Sequence, residues 1–286
     1  MLPWTDRAGK LSLLKLTVFC GCFVPALLLA QAAWTDALGA KPVMAAIHDT
    51  GDWAIRFLLL SLAVTPLRRI AQWSRLILVR RMIGLAALAY ACLHLVLYAA
   101  ELSWDIPRVA SEIWLRIYLT IGFAALVGLI ALGATSTDSA IRRLGRNWGR
   151  LHKASYPIAI LGVVHFFLQS KIDVTEATLM AGLLVLLLAY RLATHWNFRL
   201  TSPLVLLALA GIAGIGTAAI EYAWYALATG VPPLRVLAAN LDFAYSIRPT
   251  WWVVAVGLAL VPVPLIRLLV DRLRRYKGSL LEKAAS

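Results

Sequence analysis

Met82-Ile-Gly-Leu-Ala-Ala-Leu-Ala-Tyr-Ala-Cys-Leu-His94-Leu-Val-Leu-Tyr-Ala-Ala100 runs without a formal charge, directly after Arg80-Arg81. A helix needs about 20 such residues to cross a hydrocarbon layer about 30 Å thick. The stretch therefore predicts a membrane span, and comparable apolar runs recur at about 11–31, 53–67, 116–134, 154–170, 177–194, 203–228 and 250–270. Hydrophobic residues make up 61% of the 286, and only 15% are charged. Soluble domains carry roughly 25% charged residues, so the surplus apolar surface must face something other than water. The expected fold is all-α, a polytopic membrane bundle of about eight transmembrane helices.

The formal net charge is +14, and the placement of the basic residues explains it. With the N-terminus inside, 21 of the 28 Lys and Arg fall in inner segments: Arg7 to Lys15, Arg68 to Arg81, Arg142 to Lys153, Arg191 and Arg199, and Arg267 to Lys283. The outer side keeps Lys41, Arg108, Arg116, Lys171, Arg235 and Arg248, with Arg56 just inside the second span. Retention of Lys and Arg on the cytoplasmic side sets the orientation of such bundles. Both termini are expected in the cytoplasm, the partner of the charge is membrane lipid, and no nucleic-acid footprint is implied. Ala30-Gln31-Ala32 resembles a signal cleavage site, but the preceding apolar stretch exceeds the roughly 7–15 residues of a secretory leader. An uncleaved first helix is expected.

No inter-span segment is long enough for a nucleotide-binding domain. Gly211-Ile-Ala-Gly214-Ile-Gly216 lacks the order of a dinucleotide loop and lies inside a span, where small residues serve close helix packing. Cys20, Cys22 and Cys92 lack zinc-site spacing. Between residues 135 and 153, Ile141, Leu144, Trp148 and Leu151 alternate with arginines, the pattern of a basic segment lying on headgroups.

Histidine inside a bilayer span is costly and usually functional, and axial ligation of haem is a natural task for it. His94 stands as far past Arg81 as His165 stands past His152. At a rise of about 1.5 Å per residue both sit about 20 Å from the basic edge, so the two rings are expected at one level, in the outer half of the membrane. Ala87, Ala91 and Gly162 are expected to leave room there, with Tyr90, Leu97, Phe166 and Phe167 as walls. The alternative is two separate histidines satisfied by helix–helix hydrogen bonds. His152 stands at the level of a second, stacked haem, but its counterparts are Arg80 and Arg81, which suit propionates and not iron. It is also about 140° around an ideal helix from His165, with Pro157 between them. The sequence thus supports one complete haem b site and half of another. Arg56 and Arg116, near the outer ends of spans 2 and 4, are expected either to pair with propionates or to snorkel to headgroups. His48 and His195 read as interfacial residues.

Several motifs occur in order: Asp52-Trp-Ala-Ile-Arg56 leading to Thr65-Pro-Leu-Arg-Arg69, Arg80-Arg-Met-Ile-Gly-Leu to His94, Thr135-Ser-Thr-Asp138, and Leu144-Gly-Arg-Asn-Trp-Gly-Arg-Leu-His152 to Tyr156 and His165. Together they resemble the MsrQ (YedZ) family of ferric-reductase-like transmembrane proteins over about residues 10–200. The resemblance implies a six-helix haem-binding core at 10–200; the chain departs from it in continuing through 201–286 with two more helices and a basic tail. It implies a bacterial inner-membrane electron-transfer subunit fed by the quinone pool or a cytosolic flavin reductase. The acceptor would be a periplasmic MsrP-like molybdopterin enzyme, on which methionine sulfoxide in oxidised proteins is reduced. It also implies His94, His152 and His165 as haem ligands and FMN as a further cofactor, for which no residue pattern stands out.

Two other readings compete. A small-solute transporter would show midplane charge and related halves, and neither an internal repeat nor midplane charge is evident. Another haem b oxidoreductase acting on metal ions would need its own flavin and nicotinamide domains. Glu221, in the added pair of spans, reads equally as a functional carboxylate and as an interfacial one.

Overall fold

The computed structural model describes residues 2–5, 8–170, 173–244, 246–270 and 272–273. Arg7, Lys171 and the basic tail from residue 274 lie outside the described residues. The described chain is helical, with one isolated bridge between Thr5 and Leu11 and no strand. This is what hydrocarbon demands, because a helix satisfies every backbone group within its own segment.

The long helices are α1 (Leu13–Trp34), α2 (Pro42–Ile70), α3 (Arg80–Glu101), α5 (Ile117–Ala134), α8 (Ser155–Ser170), α9 (Thr175–His195), α10 (Pro203–Ala228) and α12 (Pro249–Ala259), with short helices α4 (Ile106–Leu115), α6 (Asp138–Leu144), α7 (Arg146–Leu151) and α11 (Pro233–Ala239) between them. 3-10 segments at Ser74–Val79 and His152–Ala154 lead into α3 and α8. Prolines open α10, α11 and α12, where the missing N–H costs nothing. Gln72 and Asn197, both at positive φ, follow the ends of α2 and α9, and Thr137 caps α6 through its hydroxyl.

Among the described residues, seven stretches are long and apolar enough to cross a membrane: Leu13–Trp34, Ser74–Glu101, Ile117–Ala134, Arg146–Ser170, Thr175–His195, Pro203–Ala228 and Pro249–Val270. The eighth expected span, 53–67, is part of α2. That helix begins at Pro42, well before the apolar run, because Asp49, Asp52 and Arg56 belong to its own turns.

The chain forms two compact units, residues 1–64 with 77–171, and residues 65–76 with 172–286. In the first, α5 lies along α8, α3 packs on α5 and α1, and α4 folds back on α5. Gly128 permits the α5–α8 approach: a Cβ there would stand 2.7 Å from Ile158 Cδ1.

Tyr90 secures α1 in this unit. Pro25, inside α1, has no N–H and opens the helix at that turn. The Tyr90 hydroxyl donates to Cys22 O at 3.0 Å and accepts from Ala26 N–H at 2.9 Å. A Tyr90→Phe variant is expected to lose about 1–2 kcal/mol, the value of hydrogen bonds in an apolar setting. Thermal unfolding in detergent reads this directly, and an unchanged midpoint would exclude the role.

In the second unit α9, α10 and α12 pack around Leu186, Tyr190, Leu206, Ala213 and Val253, joined by Ile70 at the end of α2. Gly257 sits against Ala210 and Gly214 against Val254, so Gly214 serves the close approach read from the sequence. Asp173 accepts from the Thr175 N–H at 3.0 Å ahead of α9, and its hydrogen bonds to Thr175 hold its carboxyl below the usual range. Glu221 turns inward. It is fully buried, ion-paired with Arg248, and accepts from Asn240 Nδ2 at 3.2 Å.

Candidate functional site

α3 and α8 bring His94 and His165 together within the first unit. Their ring centres are 6.2 Å apart and the ring planes lie at 86°. Each ring is anchored in the same way. His94 Nδ1 lies 2.8 Å from Ile47 O on α2, and His165 Nδ1 lies 2.8 Å from Tyr118 O on α5. A backbone carbonyl can only accept, so in both rings Nδ1 carries the proton and donates it. In the neutral ring Nε2 then keeps its lone pair, the state in which imidazole binds a metal.

The spacing fits an ion between the rings. Two imidazoles bound through Nε2 on opposite sides of one metal, at roughly 2 Å per bond, have ring centres about 6 Å apart. Among the described residues no group of three or more His, Cys, Asp or Glu gathers. The donor set is therefore a pair of adjacent imidazoles, which suits a metal whose other ligands come from a macrocycle such as haem.

His152 is placed elsewhere. It stacks on Trp148 with ring centres 4.0 Å apart, and its Nε2 lies 3.2 Å from Thr135 Oγ1. Trp148 Nε1 donates to Thr135 O at 2.9 Å, closing the bracket. Arg81 is engaged by Asp138 at 2.5 Å and donates to Ser136 O at 3.3 Å. Arg80 opens α3 within electrostatic reach of His152. Arg56 lies over the Trp53 ring at 5.2 Å, with Asp52 3.9 Å away. Arg116, at the break between α4 and α5, is ion-paired with Glu112 and donates to Tyr118 Oη at 3.1 Å. His48 lies within α2 and His195 ends α9; both are exposed.

Two of the small residues expected to make room pack closely. Ala87 is fully buried, and a Cβ on Gly162 would stand 3.2 Å from Ile55 Cδ1, so these positions face neighbouring helices. Tyr90 serves α1 and packs on Phe57. The carbonyls of Ile47 and Tyr118 carry no sequence signal, because any residue type can supply one.

The model of the ferric reductase like transmembrane component matches residues 50–163, taking in His94 and His152. No solved structure matches. The protein-methionine-sulfoxide reductase heme-binding subunit MsrQ of Azospira oryzae is 39% identical over 205 residues, which is 68% of this chain and 88% of that protein. The MsrQ of Xanthomonas euvesicatoria pv. vesicatoria is 43% identical over 198 residues, 66% of this chain and 89% of that one. The MsrQ of Xanthomonas oryzae pv. oryzae is 45% identical over 187 residues, with shares of 62% and 84%. Since these matches take in nearly the whole of each relative at an identity close to two residues in five, the chain belongs to the MsrQ family.

Proposed function

We propose that this chain is the haem-binding electron-transfer subunit of a methionine sulfoxide reductase system, with His94 and His165 as the axial pair of a b-type haem. The observation that carries the reading is the adjacent imidazole pair, each ring tied through Nδ1 to a backbone carbonyl, with ring centres 6.2 Å apart. Bound there, haem b would supply a one-electron carrier whose potential follows from its axial ligands, burial and nearby charge.

The remaining work belongs to the chain. α2 and α5 fix the tautomer and rotation of the two rings, so little rearranges when the oxidation state changes. The long apolar helices keep water from this level. Placement in the outer half, far from the basic edge, shortens the route to a periplasmic acceptor. Methionine sulfoxide would be reduced on that partner, an MsrP-like molybdopterin enzyme. Electrons would enter from quinol or a cytosolic flavin reductase across the basic face of the inner membrane, with both chain termini on that side. Arg56 and Arg116 are the candidates for propionates, in competition with Asp52 and Glu112. His152, with Arg80 and Arg81 nearby, marks where a second group would be held, one ligand short. FMN enters through the family alone.

The test is reoxidation. Purified protein is reduced with dithionite, excess reductant is removed, and its absorption is followed under argon. Addition of a catalytic amount of the molybdopterin reductase with excess methionine sulfoxide should return the oxidised spectrum, and either alone should not. A wild type with no haem after haem-supplemented expression would sink the proposal, and a haem that never passes electrons to that pair would sink its second half.

A further inference from the structure

The two anchored histidines share more than a carbonyl each. Ile47 precedes His94 by the same interval in sequence as Tyr118 precedes His165. One helical turn after each carbonyl stands a glycine, Gly51 and Gly122, and the two glycines are again equally distant from their histidines. Ile47, Gly51 and His94 are thus repeated in register by Tyr118, Gly122 and His165. Two halves of the first unit are related in this respect, although their side chains otherwise differ.

The glycine follows from the hydrogen bond. In an α-helix the carbonyl of residue i already accepts from the N–H of residue i+4. A second donor to that carbonyl must approach over the Cα of residue i+4, where a side chain would stand. A Cβ on Gly122 would lie 2.7 Å from His165 Nδ1, 2.8 Å from Cε1 and 3.0 Å from Cγ. A Cβ on Gly51 would lie 3.0 Å from His94 Nδ1 and 3.1 Å from Cε1. In both cases the obstructed atoms belong to the ring that must stay in place, so no flexible chain end can swing clear.

We propose that Gly51 and Gly122 are positioning residues that let the α2 and α5 backbones hold the His94 and His165 rings with Nε2 aimed at a shared metal. The assignment rests on the haem reading above. The graded distances rank the two: Gly122→Ala must expel its ring from the carbonyl, whereas Gly51→Ala displaces its ring by a few tenths of an ångström.

The experiment uses the full-length protein with Gly122→Ala, Gly51→Ala and, as control, Gly21→Ala, a helical glycine with nothing within 4 Å of an added Cβ. The first readout is the reduced-minus-oxidised spectrum and haem per chain. Gly122→Ala should lose most of its low-spin band, Gly51→Ala should keep haem with altered EPR anisotropy, which reports the angle between axial rings, and Gly21→Ala should match wild type. The second readout needs no haem: nitrogen-15 NMR of histidine-labelled apoprotein should show two Nδ1–H tautomers, with one lost in Gly122→Ala.

Alanine is the better helix former, so a merely structural glycine would give unchanged spectra and equal or greater thermal stability. Wild-type spectra and tautomers in both site variants would overturn the inference. Should Gly122→Ala fail to fold, Gly51→Ala decides. A wild type without haem but with the tautomer change defeats the haem reading while leaving the positioning role in place, so the two failures are distinguishable.

Discussion

Purified His94→Ala and His165→Ala are each expected to lose the low-spin b-type spectrum while remaining folded. Each ring leaves Nε2 free once Nδ1 is bound to a backbone carbonyl, the ring centres are 6.2 Å apart, and no group of three or more His, Cys, Asp or Glu gathers among the described residues. Losing one ligand leaves the other unable to hold a six-coordinate centre. Altering groups that merely orient a ligand costs roughly 10–100-fold in metal affinity, so removing the ligand itself should cost roughly 100-fold or more by the same scale. The fold should survive, because Ile47 O and Tyr118 O keep their own helical donors when the imidazole goes. The measurement is haem per chain after gel filtration, with the thermal midpoint beside it. Full haem retention in either variant would remove that histidine from the ligand set.

The pair was legible in the sequence because depth in a membrane can be counted. Both histidines stand equally far beyond a basic edge, His94 from Arg81 and His165 from His152, and helices of fixed rise turn equal counts into equal levels. The spans were legible for the same reason: length and hydropathy are local properties, and the bilayer selects on them. The start of α2 was hidden because Asp49, Asp52 and Arg56 look like the outside of a span. In the structure Arg56 lies on Trp53 with Asp52 beside it, and Thr50 turns its hydroxyl to Ala46 O at 2.7 Å. The anchors of the site were hidden more deeply. A carbonyl has no letter, and the glycines that admit the rings carry no signal until the same glycine-to-histidine interval is seen twice. His152 was legible only in part: its place at the basic edge marked a second level, whereas its contacts with Trp148 and Thr135 carry no sequence signal.

Glu221→Ala is expected to destabilise the second unit by about 3–5 kcal/mol, the usual result of removing one partner from a buried ion pair. Glu221 is fully buried, and the Arg248 side chain is only 22% exposed. Without the carboxylate, the guanidinium would face an apolar interior, and Asn240 would lose the acceptor of its 3.2 Å hydrogen bond. Asn240 in turn accepts, through its backbone carbonyl, the Trp251 indole N–H at 2.6 Å, so the loop between α10 and α12 is tied to both helices through this cluster. A lower thermal midpoint should therefore come with faster proteolysis within residues 229–248. The attraction between the charges is not itself the main source of the effect. Desolvating both groups is costly, and replacing such a pair by apolar side chains of similar size is often neutral or better. Glu221→Met with Arg248→Met should accordingly recover most of what Glu221→Ala loses, although it removes more hydrogen bonds. If the double variant is as unstable as the single one, the pair contributes through its hydrogen-bond geometry, and the cost assigned here to an unpaired buried arginine is wrong.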